Sequence, residues 1–96
     1  MTSAQILGNT FLISDANGEP IPDGGITKAG LVMFKGTTEP GHKVEVSDDK
    51  GLRFSVTEPN SKHWGPIGLH FAVGDYKIKI KFYHGDVTHT WSFTVK

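Results

Sequence analysis

The chain contains no cysteine, which excludes disulfide staples, thiol chemistry and Cys-ligated metal sites. That absence does not place the chain inside the cell. No stretch approaches the ~18 consecutive apolar residues of a membrane-spanning helix, so no membrane insertion is expected. Met1-Thr-Ser-Ala lacks the basic start and apolar block of a secretory signal; the chain reads either as whole or as a domain cut from a longer protein. Excess charge of one sign is missing too, since ten Lys and Arg balance ten Asp and Glu. A nucleic-acid partner is therefore not expected, because such binders carry a basic surplus. The balance is uneven along the chain. Residues 1–49 hold three Lys against seven acids, and residues 50–96 hold six Lys and one Arg against three.

Helical periodicity is also absent: nowhere does an apolar 3.6-residue repeat persist for three turns. There is no Gly-x-Ser-x-Gly elbow to present a nucleophile. Neither a phosphate-cradling glycine loop nor a His-Glu-x-x-His pair occurs. These absences argue against an enzyme.

What remains is strand and turn. Ninety-six residues suit one domain with a modest core; residues 1–9 carry little signal and read as a flexible segment before a domain over 10–96. The organising turn is Glu39-Pro-Gly-His42, where proline presets one turn angle and glycine accepts the positive φ that follows. Thr10–Ser14 reads as a first strand. Glu19–Gly25, with two prolines, reads as an extended crossover. Ile26–Lys35 follows as a strand with Val32 and Phe34 inward, and Lys43–Ser47 turns Val44 and Val46 inward. Leu52, Phe54 and Val56 alternate with Arg53, Ser55 and Thr57. The segment His63–Leu69 is the least regular, and Pro66 points to an edge or a bulge.

Tyr76–Tyr83 is the clearest strand, with Tyr76, Ile78, Ile80 and Phe82 inward. His84-Gly-Asp-Val87 predicts a two-residue hairpin loop. That register sets Phe82 opposite His89, Ile80 opposite Trp91, Ile78 opposite Phe93 and Tyr76 opposite Val95; a one-residue slip would turn the apolar sets to opposite faces. The expected core is Val32, Phe34, Val44, Val46, Phe54, Val56, Tyr76, Ile78, Ile80, Trp91 and Phe93. Seven short strands with turn signals every ~8–12 residues predict an all-β sandwich.

The series Gly36-Thr-Thr-x-Pro-Gly-x-x-Val44, then Trp64, then Phe71-x-x-Gly74-x-Tyr76, resembles bacterial immunoglobulin-like domains, which repeat in surface adhesins and secreted proteins. Asp15–Gly25 is similar to their first crossover. The resemblance covers about Phe11 to the end. Two departures are Gly65-Pro66 with Gly68, where such domains continue a regular strand, and Ala72-Val73 in place of a polar turn. It implies a seven-stranded antiparallel immunoglobulin-like sandwich with Greek-key connections. The implied role is a non-catalytic spacer or adhesive module at the cell surface or outside the cell, monomeric in isolation. Its partners would be neighbouring domains or surface ligands such as protein or polysaccharide. A stand-alone domain recognising a carbohydrate or a host or phage surface is the alternative.

Candidate binding residues follow from the strand order. Trp64 reads either as a core residue or as a sugar-stacking plane, and Tyr83 as an exposed aromatic. Lys77, Lys79 and Lys81 form a stripe that is either a solvated face or an attraction for anionic surfaces. Asp48, Asp49 and Asp75, with Asp23 near, share one end and would be the oxygens for Ca²⁺. At the opposite end, three loops carry His42, His63 and His84, a candidate Zn²⁺ site or proton switch. His89 reads as a ring packed on Phe82.

Overall fold

The computed structural model describes residues 8–96. Where apolar and polar residues alternate the chain is extended, and where Gly, Pro, Asp and Asn cluster it turns. Eight strands result: β1 (Thr10–Asp15), β2 (Gly25–Thr27), β3 (Gly30–Thr37), β4 (Lys43–Asp48), β5 (Gly51–Thr57), β6 (His63–Phe71), β7 (Gly74–Phe82) and β8 (Val87–Val95). They form a three-stranded sheet in the order β1-β3-β6 and a five-stranded sheet in the order β2-β8-β7-β4-β5. The two sheets pack face to face as an all-β sandwich.

The side chains between them explain the packing. Ile13, Val32, Phe34, Trp64 and Phe71 from the small sheet meet Val44, Val46, Ile78, Ile80, Phe82, Phe93 and Val95 from the large one, all buried. The aromatic rings meet mostly at steep angles, as with Phe34 and Phe54 at 69° and Phe71 and Phe93 at 74°. Such edge-to-face contacts suit the ring quadrupole. Trp64 takes the core reading, at 2% exposure.

Strand direction gives the sandwich two poles. At one lie the start of β1 and the β3–β4, β5–β6 and β7–β8 loops. Hydrogen bonds tie these together: Thr38 N to Lys62 O, Gly41 N to Glu58 O, Tyr83 N to Lys43 O, and Asn9 Nδ2 to His84 O. At the other lie the β4–β5 and β6–β7 turns and the end of β8, where Lys96 N donates to Thr27 O. The flexible segment expected over 1–9 falls, for residues 1–7, outside the described residues. Asn9 is buried and accepts a hydrogen bond from Thr38 Oγ1 at 2.7 Å.

Four expectations are corrected. First, the described residues form eight strands rather than seven, and β2 runs parallel to β8 (Gly25↔Phe93, Thr27↔Val95), so the large sheet is mixed. Second, Ile26–Lys35 is two strands in different sheets. Gly30, at φ +136°, turns the chain from one sheet to the other in a conformation that side-chain-bearing residues avoid.

Third, the β7–β8 register is two residues from the expected one: Phe82 pairs with Val87, Ile80 with His89, Ile78 with Trp91 and Tyr76 with Phe93. Tyr83 gives its N–H to Lys43 O on β4, leaving a four-residue loop with Asp86 at φ +53°. A shift of two keeps every side chain on its face, so the inward set survives. Fourth, the regular alternation expected over Leu52–Thr57 breaks at its start, where Leu52 is 60% exposed. The ladder slips between Val46↔Phe54 and Ser47↔Leu52, a bulge at Arg53 that reverses the alternation before it. Of the expected core, Phe54, Val56, Tyr76 and Trp91 are only half-buried and pack against it; Phe54 and Val56 stand on the edge strand β5, and Tyr76 lies near the start of the central strand β7, at one end of the sandwich.

Candidate functional site

The loops of the first pole bring two of the three expected histidines together. His42 follows the Pro40-Gly41 turn, with its N–H on Glu39 O. His84 is the second residue of the β7–β8 loop, and its carbonyl takes the Asn9 amide. Their ring centres are 4.9 Å apart with planes at 59°. The Tyr83–Lys43 backbone bond joins the residue before one histidine to the residue after the other, so the spacing is built into the sheet. His63 begins β6 opposite Thr37, and is exposed. Among the described residues no group of three or more His, Cys, Asp and Glu takes a metal-holding arrangement, so the three-histidine site is reduced to a pair. His89 packs against Phe11 and, edge-on, against Phe82.

At the opposite pole, Asp48, Asp49 and Asp75 line one shallow depression of about 260 Å³ with Lys50, Arg53, Tyr76 and Lys77. This is below the usual size of small-molecule pockets. The carboxylates of Asp48, Asp75 and nearby Asp23 are engaged separately. Asp48 Oδ2 is 2.7 Å from Arg53 Nη1 and its Oδ1 accepts from Lys50 N. Asp75 Oδ1 accepts from Thr94 Oγ1, and Asp23 Oδ1 from Ser92 N. The Asp48 side chain is only 5% exposed. Burial alone would raise its pKa, but the Arg53 guanidinium and the Lys50 and Gly51 amides outweigh that and hold it below the ordinary aspartate range.

The outer face of the large sheet carries the lysine stripe. Lys77, Lys79 and Lys81 stand opposite Ser92, Thr90 and Thr88 on β8. Lys81 also reaches Asp86 at 3.7 Å. Tyr83 is 40% exposed, yet its ring is not open for stacking: Lys43 and Lys81 ammonium groups each sit 4.7 Å from its centre. Its hydroxyl donates to Glu45 Oε1 at 2.8 Å. That bond, first, and then Lys43 and Lys81 hold the Glu45 carboxyl below its ordinary value, against the opposing effect of burial.

Arg53 was missed from the sequence. Placed by the bulge, its guanidinium lies 4.7 Å from the Phe71 ring centre and reaches His70 O at 3.5 Å, both on β6. It thus links the facing edges of the two sheets. Nothing in Gly51-Leu-Arg-Phe54 signals the bulge, since the residues alternate as in a regular strand. No family model, curated protein or solved structure matches the chain.

Proposed function

We propose that the chain is an immunoglobulin-like module of the kind repeated in bacterial surface adhesins and secreted proteins, acting without catalysis as a spacer or adhesive domain outside the cell. The observation that carries the reading is strand polarity. β1 begins at the histidine pole beside Thr37, and β8 ends at the acidic pole beside Thr27 and Gly74. Domain termini commonly lie close together; opposite poles instead let copies follow one another end to end. Strand order supports the same reading. β7, β4 and β5 are neighbours in the large sheet while β6 crosses to the small one, as a Greek-key connection requires. The polar groups fit a structural role as well: Asp48, Asp23, Asp75 and Glu45 all serve hydrogen bonds within the domain.

Two copies joined in tandem test the proposal by small-angle X-ray scattering. The domain has a long dimension of 35 Å. A spacer predicts a particle about twice that long, with each copy melting as the single domain does. A particle no longer than two domains lying side by side would overturn it.

A further inference from the structure

We propose that His42 and His84 form a two-imidazole chelate for a late divalent transition metal, Cu²⁺ foremost and Zn²⁺ more weakly. Two neutral imidazoles bound to one ion at ~2.0–2.1 Å, meeting at a tetrahedral or square-planar angle, have ring centres about 5 Å apart. The rings of His42 and His84 are 4.9 Å apart before any ion is added. The assignment calls for rotation of each ring about its Cβ–Cγ bond to bring one nitrogen to a shared position.

The loops are in turn held. Tyr83 N donates to Lys43 O at 3.0 Å and His42 N to Glu39 O at 3.2 Å, while Asn9 Nδ2 donates to His84 O at 2.9 Å. A ligand pair fixed in this way loses little freedom on binding, which is the source of a chelate's advantage over two separate imidazoles. His42 is exposed and His84 half-buried, so an ion can reach the pair from solvent. With no third protein ligand among the described residues, the remaining positions are left to water. Imidazole nitrogen suits copper, nickel and zinc rather than calcium or magnesium, and copper stands highest in the affinity order of divalent ions. The pair lies at the pole where β1 begins, apart from the acidic depression, and does not depend on the spacer reading.

Titration of the whole chain with Cu²⁺ alone, followed by calorimetry, tests the assignment. The expected result is one equivalent bound, with affinity lowered at least about tenfold in His42→Ala and in His84→Ala, and unchanged in His63→Ala. Zn²⁺ should bind the same pair more weakly. The Asn9 bond to residue 84 uses the backbone carbonyl, so His84→Ala keeps it. Paramagnetic broadening of the wild-type NMR spectrum by Cu²⁺ gives a second measurement that needs no variant: resonances of the 39–43 and 83–87 loops should vanish first. No binding, affinity untouched by His84→Ala, or broadening centred on His63, His70 or His89 would overturn the proposal.

Discussion

Asp48 and Arg53 show at single-residue scale how one contact acts on both sheets. The carboxylate is nearly closed off from solvent and takes hydrogen bonds from Arg53 Nη1 and Lys50 N. The guanidinium it orients also covers Phe71 on the facing sheet. Hydrogen bonds to charged groups contribute about 1.5–3 kcal/mol, so Asp48→Asn should destabilise the domain by that order at neutral pH. For a domain of this size the melting temperature should fall by roughly 4–8 °C per kcal/mol. The pH dependence has a definite sign. Because the folded-state pKa of Asp48 is depressed, its contribution is present above the unfolded value near ~3.9 and is lost as pH falls through the lower folded value. The difference between wild type and Asp48→Asn should therefore shrink as the solution is acidified below about pH 4. A difference that holds constant down to pH 2 in thermal melts would count against this account.

Among the elements, the β1–β3 pair holds the glycine with least room for a side chain. Gly36 faces Phe11 in the ladder, and a Cβ added there would run into the Thr10 carbonyl oxygen and the Phe11 Cα. Neither is a side-chain tip that can swing aside. Gly36→Ala must push β1 away from the sheet, at a cost on the order of 1–3 kcal/mol. Denaturant unfolding measures it, and hydrogen exchange should show the loss of protection concentrated in Thr10–Asp15. An alanine variant as stable as wild type would mean that the strands approach less closely. The β7–β8 hairpin is a second case at this scale. Its alternation is plain in the sequence, but its register depends on which partner takes the Tyr83 N–H, and that partner is Lys43 on β4.

For the whole molecule, the parallel β2–β8 pair and the opposite poles act together under load. A pull that draws the start of β1 and the end of β8 apart runs along β2 and β8 rather than across them. Gly24 N to Ser92 O, Lys96 N to Thr27 O and Ala29 N to Lys96 O flank the three ladder pairs, so these bonds share the force. Stretching the domain between its ends by atomic force microscopy should give a single high-force rupture, lowered when Thr27→Pro removes the N–H that the parallel alternation, set by Lys96 N to Thr27 O and Ala29 N to Lys96 O, directs at β8. Unzipping at low force with no effect of Thr27→Pro would show that the pair bears no load.

The sequence by itself determined which segments are extended, most of the inward-facing residues and the poles to which the histidine and aspartate loops belong. These follow from period-two alternation and from turn residues, both local in the chain. It left Trp64 open between a core residue and a stacking plane. The tertiary structure alone decided the rest, because it turns on partners far apart in sequence. Ile21 lies between two prolines and reads as crossover, yet it is 4% exposed and bonds to Ile13. Gly30 divides one apparent strand between two sheets, and the bulge at Arg53 turns Leu52 outward while aiming a cation at the opposite sheet. His42 and His84 meet because β4 and β7 are neighbours, whereas His63, on the other sheet, does not complete a metal-holding group. Alternation specifies a face, but distance between loop tips depends on how two sheets are paired and stacked, and no local pattern encodes that.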